Sequence, residues 1–385
     1  MSAWPVCWTE PEYLLLLGGW TVTLLLCGVG LLKARRRYRL KHLDARPTHA
    51  RSTPLSTRLN ARQHRRGWLL IHLGLSAWSL LWCLTVLEWF FVLCVDHSDA
   101  FNGTNVSKRW FRHYIDAQRN DDGFRDRRTL RQPAPPGTKR IVILGDSYVA
   151  GHGLRRMEDR FTEKLEHLLQ QQGCRVWVHN LGEPGYEVTL IEGLAQAVLQ
   201  EQPIDMLLYA YMLNDIEGYD PRTEEYLRQL LQRQPTHPLI TRTYFLNWLY
   251  FRWQQLREHA AINYFPHLRD SYDTAAWQGV QHSLQKIHQA CRQHQVAFRL
   301  VLFPFMQGLG PDSPFLSIHQ KLQLWAEEEG IPCLDMEPLL SAHRHEPIYV
   351  NRFDSHPNEY AHTLIAQRLY SWLKDDPVLC AHHRD

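Results

Sequence analysis

The stretch Ile141–Gly153, IVILGDSYVAGHG, is the part of the sequence that decides the fold. Its first four residues are apolar and run directly into Gly145-Asp146-Ser147, with two more glycines close behind. A short, continuous apolar run that ends in a turn is typical of a strand buried on both faces, as in a parallel sheet. The small and polar residues that follow indicate either a tight turn or a nucleophile held at the edge of that sheet.

Strand and helix patterns alternate from this stretch towards the end of the chain. The predicted strands are Arg140–Leu144, Arg175–His179, Met206–Tyr211, Phe298–Phe303 and Pro332–Asp335. The predicted helices are Phe161–Gln172, Thr189–Gln200, Gly279–His294, Ile318–Glu328 and Asn358–Leu373. Apolar strands separated by helices predict a three-layer α/β/α fold, in which a parallel five-stranded sheet is covered on both faces.

An insert at residues 216–277 interrupts this alternation after the third strand. Its core, Tyr244–Trp253, is strongly aromatic (YFLNWLYFRW). Because Trp and Phe usually mark buried surface, we expect this segment to pack on the body of the domain. A lid or a membrane-touching helix is the alternative.

Polar residues follow three of the predicted strands, at the edge where an open parallel sheet binds its ligands. Gly145-Asp146-Ser147 follows the first strand, NLGEPG (180–185) the second, and Asn214-Asp215 the third. The motif Asp354-Ser-His356-Pro stands immediately before the last helix. A residue before proline favours extended backbone, and positions i and i+2 of an extended segment point to the same side. Asp354 and His356 should therefore project together.

Four short blocks of the sequence resemble those of the GDSL-type esterases, also called SGNH hydrolases, and occur in the same order. The blocks are GDSYVAGHG, NLGEPGY, LND and DSHPN. The resemblance covers about Arg140–Leu373 and implies the flavodoxin-like SGNH hydrolase fold. The third block departs from the family's Gly-x-Asn-Asp because Met212 takes the place of the glycine. We expect this departure to change the local backbone and the width of the pocket more than the role of Asn214.

The resemblance implies a role for each block. Ser147 would be the nucleophile, His356 its general base, and Asp354 the residue that orients His356. The backbone N–H groups of Ser147 and Gly185 and the side-chain amide of Asn214 would form the oxyanion hole. The residues that would support these loops are Gly145, Asp146 and Asp215.

The implied function is hydrolysis of carboxylic esters, such as O-acyl groups on glycans or lipids, through an acyl-serine intermediate. An O-acyltransferase is the first alternative: it would move the acyl group onto an envelope or extracellular polysaccharide, with a membrane-bound acyltransferase as its partner. A non-catalytic glycan-binding subunit is the second. The complete Ser-Gly-Asn-Asp-His set argues against that second alternative.

No metal or organic cofactor is expected from the sequence. The eight cysteines show no zinc-type spacing. The histidines outside the blocks, such as His343 and His345, lack the surroundings of metal ligands, and we assign them to the surface. His152 lines the pocket or lies at the surface, and the sequence leaves both open.

Two apolar stretches precede the domain and predict a membrane region over residues 1–95. Tyr13–Leu32 has no charged residue, and about 20 apolar residues are needed to cross the hydrocarbon core of a bilayer. The second stretch, about residues 68–95, is longer and has tryptophans near both ends. Glu88 stands near the end of this stretch, where we expect the outer membrane–water interface.

The segment between the two stretches sets the predicted orientation. Residues 33–66 hold twelve Lys or Arg and a single acid, Asp44. Positive residues stay in the cytoplasm, so this segment is predicted to be a basic cytoplasmic loop of a multi-pass inner-membrane protein. The catalytic domain, 139–385, would then lie on the periplasmic or extracellular side.

The segment at residues 96–138 is charged and aperiodic, which predicts a stalk or linker between membrane region and domain. From Gly67 onward the chain has more acidic than basic residues. This balance gives no reason to expect nucleic acid as a partner.

Overall fold

The computed structural model describes residues 10–43, 54–223, 225, 234–257 and 260–379. The chain divides into two compact units. The first contains Met1–Val95 and Thr236–Leu249, and the second contains Asp96–Pro235 and Tyr250–Asp385. The second unit thus holds the predicted domain, apart from Thr236–Leu249, together with the segment predicted to be its linker.

The elements are numbered in chain order. The strands are β1 (Lys139–Gly145), β2 (Val176–Gly182), β3 (Met206–Met212), β4 (Ala297–Phe303), β5 (Cys333–Asp335), β6 (Tyr349–Asn351) and β7 (Asp354–Pro357). The helices are α1 (Glu10–Leu43), α2 (Pro54–Leu93), α3 (Asn105–Tyr114), α4 (Ser147–Ala150), α5 (Phe161–Gln171), α6 (Val188–Glu201), α7 (Pro238–Arg242), α8 (Phe245–Arg257), α9 (Ala260–Ser271), α10 (Ala275–Gln293), α11 (Leu316–Glu328), α12 (Glu337–Ala342) and α13 (Glu359–Leu373). Short 3₁₀ turns occupy Asp116–Gln118, Met157–Asp159, Leu213–Tyr219 and Met306–Gly308.

Strands β1 to β5 form one parallel sheet in the order β2-β1-β3-β4-β5, which confirms the predicted sheet. Successive residues of β1 alternate between two buried clusters: Val142 and Leu144 join one, Ile141 and Ile143 the other. Helices α6 and α10 contribute to the first cluster, and α5 and α13 to the second. Burial on both faces is why β1 reads as a continuous apolar run.

Strand β2 runs three residues beyond its predicted end at His179, so that Asn180 lies inside it. The Asn180 amide nitrogen donates to the Val149 carbonyl at 2.7 Å and to Thr162 Oγ1 at 2.8 Å. Its Oδ1 accepts from the Gly182 N–H at 3.0 Å. A buried polar side chain costs little when its hydrogen bonds are made, so the strand continues through a residue that resembles a turn in sequence.

In the first unit, α1 and α2 are both long and apolar enough to cross a membrane, over Pro11–Lys41 and Arg65–Leu93. Residues 33–43 and 54–66 of the basic segment are helical, and its cytoplasmic location stays a prediction. The rest of that predicted loop, 44–53, lies outside the described residues. Lys and Arg are good helix formers, and they extend both helices beyond the apolar stretches.

The segment 96–138 is folded, which corrects its prediction as a stalk or linker. It carries α3, whose first turn is capped by the Thr104 side chain. Val106, Trp110 and Ile115 are fully or almost fully buried. Val106 and Trp110 stand four residues apart, the spacing of one helix face, but the charged residues around them hide this sparse signal.

The aromatic insert divides between the two units. Its part Thr236–Leu249 belongs to the first unit, where the rings of Phe91 and Phe245 are 5.3 Å apart between centroids. The Glu88 carboxylate accepts from the backbone N–H of Tyr244 at 2.6 Å and of Phe245 at 2.9 Å, which satisfies free donors at the start of α8. For these residues the expected packing on the body is corrected: they pack on α2.

Candidate active site

Ser147 is separated from β1 by one residue, Asp146, and is the first residue of α4. Asp146 caps this short helix by accepting from the N–H of Tyr148 at 2.9 Å, and its other oxygen lies 3.3 Å from Ser147 Oγ. The chain turns at Gly145, where a Cβ would lie 2.9 Å from the carbonyl oxygen of Ala210. No larger residue fits this turn without moving β3, which is why glycine precedes the Asp-Ser pair.

Strand β7 brings Asp354 and His356 to Ser147, across 209 positions of sequence. His356 Nε2 lies 2.8 Å from Ser147 Oγ, and His356 Nδ1 lies 2.5 Å from Asp354 Oδ1. The backbone N–H of His356 also donates to Asp354 Oδ1, at 3.1 Å. The two side chains project together from an extended segment, in the arrangement that the Asp-x-His-Pro spacing predicts.

The pKa values of this pair are shifted in opposite directions. Burial by itself would lower the pKa of His356, but the charge of Asp354 and its hydrogen bond raise it above the usual value. Burial would raise the pKa of Asp354, but the charge of His356 and hydrogen bonds from His356 and Ser98 hold it far below its usual range. Asp354 is therefore ionised at neutral pH, and a neutral His356 next to it is a strengthened proton acceptor.

Ser98 is a site residue that the sequence analysis missed. It is almost fully buried, and its Oγ donates to Asp354 Oδ2, the oxygen that His356 does not use. The Ser98 carbonyl accepts from the Asn351 side-chain amide at 3.3 Å. No signal in the sequence marks this serine, because it lies in a segment without strand or helix periodicity.

His152 is buried beside His356, so of the two locations that the sequence left open the surface is excluded. Its Nε2 lies 3.1 Å from the Asp99 carbonyl, and its ring centroid lies 4.4 Å from that of His356. Burial and the positive charge of His356 lower the pKa of His152 to about 4. His152 is therefore neutral at physiological pH and adds no positive charge beside the His356 imidazole.

Gly185 and Asn214 follow β2 and β3, as the strand pattern predicts. Gly185 is exposed in a turn with a φ of +83°, a conformation that favours glycine, and a Cβ there would contact nothing within 4 Å. Asn214 lies half-buried in the 3₁₀ turn after β3, and its Oδ1 has no hydrogen-bond partner among the described residues.

Asp215, the neighbour of Asn214, is fully buried. Its Oδ2 accepts from the Tyr209 hydroxyl at 2.6 Å and from the Met212 N–H at 3.2 Å. Burial, followed by the charge of Asp146, raises the pKa of Asp215 well above its usual value. These contacts fit a residue that shapes the loop after β3, as the sequence predicts.

The segment 96–138 also holds the loops around Ser147 through charged side chains. Arg119 donates from both terminal nitrogens to Glu183, next to β2. Arg125 is almost fully buried and donates to the carbonyls of Ala150, Gly151 and Leu154, at 3.2, 3.0 and 2.9 Å. The loop after Ser147 and the loop that contains Gly185 are thus both fixed from the segment predicted to be a linker.

His152, Asp354 and His356 are the group of described side chains that could hold a metal ion, with their donor atoms all within 4.8 Å. Two of these side chains, Asp354 and His356, already hydrogen-bond each other, and His152 contacts a backbone carbonyl. These contacts account for the close approach of the three side chains without a metal ion. That the protein needs no metal stays a prediction.

A model of a known protein family matches most of the domain. The family model described as "GDSL-like Lipase/Acylhydrolase family" matches residues 143–364. No curated protein matches the chain. A solved structure of a lipolytic G-D-S-L family member from Veillonella parvula is 15% identical with a TM-score of 0.38, and the match covers 62% of this chain and 99% of that one.

Two further solved structures are similarly distant. The esterase EstA from Pseudoalteromonas sp. is 14% identical with a TM-score of 0.40, covering 62% of this chain and 100% of that one. An acetyl xylan esterase, AlAXEase, is 11% identical with a TM-score of 0.39, covering 61% and 99%. Likeness at this level says nothing about substrate.

The parallel sheet, with buried clusters on both of its faces, is the three-layer α/β/α fold that the sequence predicts. The family match covers more than half of the chain. The chain belongs to the GDSL-like lipase/acylhydrolase family, which confirms the resemblance found in its four sequence blocks.

Proposed function

We propose that this protein is a membrane-anchored serine esterase in which Ser147 attacks the carbonyl carbon of a carboxylic ester. The observation that carries the proposal is the unbroken chain of contacts from Ser147 Oγ through His356 to Asp354, at 2.8 and 2.5 Å. A neutral imidazole at this distance accepts the serine proton as the new C–O bond forms.

The remaining steps follow from the same residues. The tetrahedral oxyanion is stabilised by the N–H groups of Ser147 and Gly185 and by the Asn214 amide, and each such donor is worth ~10²–10³ in turnover. His356 returns its proton to the leaving alcohol, which departs and leaves an acyl-Ser147. A water molecule, deprotonated by His356, then attacks the acyl carbonyl carbon. The bond to Ser147 Oγ breaks, the acid leaves, and His356 returns the proton to Ser147 Oγ. Asp354 stabilises the imidazolium in both halves of the cycle.

The substrate class proposed is an O-acyl group on a glycan or a lipid. The family resemblance and the proposed position outside the cytoplasm support this class.

A fluorophosphonate probe tests the proposal on the full-length protein in detergent. We expect the probe to label the wild type covalently, because it reacts with activated serines, and we expect Ser147→Ala to abolish labelling. Ser283→Ala is the matched control: this buried serine also donates to a carboxylate, Glu192, at 2.6 Å, and it should label like the wild type. An unlabelled wild type, or equal labelling of Ser147→Ala, would refute the assignment.

We further propose that α1 and α2 cross the cytoplasmic membrane and that the second unit lies on its outer side. The basic residues that extend both helices support a cytoplasmic location for the connection between them. Cys174, in the second unit, is disulfide-bonded, and disulfides persist mainly outside the reducing cytosol.

Cysteine labelling of intact cells tests this orientation. With a membrane-impermeant maleimide, we expect Asp312→Cys, an exposed position of the second unit, to react above the background of the unsubstituted protein. Lys41→Cys, at the basic end of α1, should react only after the membrane is permeabilised. The opposite pattern would reverse the proposed orientation.

A further inference from the structure

We propose that Ser98 is a positioning residue of the esterase: its hydroxyl fixes the Asp354 carboxylate in the orientation that holds His356 against Ser147. This inference rests on the proposed function of Ser147 and His356. It concerns a residue outside the four sequence blocks, in the segment directly after α2.

The contacts of Asp354 show what Ser98 contributes. Oδ1 is fully engaged by His356, which donates to it from Nδ1 at 2.5 Å and from its backbone N–H at 3.1 Å. Oδ2 accepts from the Ser98 hydroxyl. Because both oxygens accept hydrogen bonds, rotation of the carboxylate about its Cβ–Cγ bond would break them, which keeps Oδ1 aligned with the imidazole.

Within the part of the chain that the structure describes, no other donor on Oδ2 replaces Ser98. His152 Nε2 lies 3.6 Å from Oδ2, beyond hydrogen-bond distance, and it contacts the Asp99 carbonyl at 3.1 Å instead. Removing the Ser98 hydroxyl would therefore leave a buried carboxylate oxygen without its direct hydrogen bond. Asp354 has no solvent exposure, so water does not readily take that place.

The backbone around Ser98 is itself held in place, which aims the hydroxyl. The next residue, Asp99, accepts from the N–H groups of Gly103 and Thr104, at 2.9 and 3.2 Å. The N–H of Ala100 donates to the Phe353 carbonyl at 3.0 Å, which ties this segment to the residue preceding Asp354. A serine on a fixed segment can orient its partner without itself touching the substrate.

A double-mutant cycle tests whether Ser98 acts through Asp354. The four full-length proteins are the wild type, Ser98→Ala, Asp354→Asn and the double variant, and the measurements are kcat and KM for p-nitrophenyl acetate and the rate of fluorophosphonate labelling. In the wild-type background we expect Ser98→Ala to lower kcat and the labelling rate about 10-fold, since a hydrogen bond to a charged group is lost, with KM unchanged within about twofold. In the Asp354→Asn background the same substitution should change the labelling rate less than about twofold, because the carboxylate that Ser98 orients is already absent.

Control variants separate positioning from general loss of structure. Ser283→Ala should leave both rates within about twofold of the wild type, and thermal unfolding reports the stability of each protein. Ser98→Cys, nearly the same size with a weak S–H donor, should lose less activity than Ser98→Ala and serves as the test if the alanine variant does not fold. An equal loss in both backgrounds, or no loss from either Ser98 variant, would overturn the inference while leaving the esterase in place. A wild type that neither reacts with the probe nor hydrolyses the ester would overturn the proposed function and this inference together.

Discussion

Replacing His356 by alanine should lower kcat/KM for p-nitrophenyl acetate by ~10⁴-fold or more, because Ser147 loses its general base. Among the described side chains, the other basic group within hydrogen-bond reach of Ser147 Oγ is the buried carboxylate of Asp146. The effect belongs to kcat, since the imidazole acts on the proton of Ser147 and not on the bound ester. The measurement is steady-state hydrolysis by the full-length protein in detergent, with thermal unfolding to show that the variant is folded.

The control for this substitution is His343→Ala. That half-exposed histidine contacts Glu346 at 3.0 Å, outside the Ser147 group, and its loss should leave hydrolysis within about twofold. A His356→Ala protein that is folded and keeps more than about a tenth of the wild-type kcat would contradict the role of His356 as the general base.

Asp354→Asn is expected to lower kcat by ~10⁴-fold although its shape barely changes. The asparagine amide can donate to His356 Nδ1, which forces the ring proton onto Nε2, the atom that must accept from Ser147.

A second effect of Asp354→Asn is predicted for the pH profile. His356 works only when neutral, and its raised pKa places the acid limb of wild-type kcat/KM above the usual histidine value. Without the Asp354 charge, burial lowers that pKa and only the smaller influence of the Asp146 charge raises it, so the acid limb of the residual activity should move to lower pH.

Asp335→Asn is the matched control for this change, because the chain contains another Asp–His pair whose side chains are little exposed. Asp335 Oδ1 lies 2.8 Å from His319 Nδ1, and no described hydrogen bond joins that pair to Ser147. We expect the substitution to leave kcat within about twofold and the acid limb unmoved. If Asp354→Asn had no larger effect than Asp335→Asn, Asp354 would be only a structural residue.

The sheet and the residues around Ser147 could be predicted because their signals are local. Each strand is an apolar run, and each run ends on polar residues that parallel topology brings to one edge. The pairing of Asp354 with His356 was also predictable, since an extended Asp-x-His before proline leaves little freedom. The end of β2 could not be predicted. Asn180 usually forms turns, and it stays in the strand because its side chain donates to Val149 and Thr162, which are distant in sequence.

The contribution of residues 96–138 could not be predicted for a related reason. In the sequence, Arg119 and Arg125 are typical of a solvent-exposed linker. In the structure, Arg119 donates to Glu183, and Arg125 donates to backbone carbonyls after Ser147. The aromatic insert posed the converse problem. Its composition indicates burial correctly, but composition does not say against which surface, and Phe245 packs on Phe91 of α2 instead of on the body.

The position of Ser98 has a practical consequence for anyone who prepares a soluble fragment. A cut near residue 100 would look natural from the sequence, since it removes the apolar helices and keeps every family motif. Such a fragment would lack both the hydroxyl that donates to Asp354 and the carbonyl of Asp99 that contacts His152. A fragment that begins at Asp96 keeps both groups. Weak activity in the shorter version would then reflect where the chain was cut and not the chemistry of the enzyme.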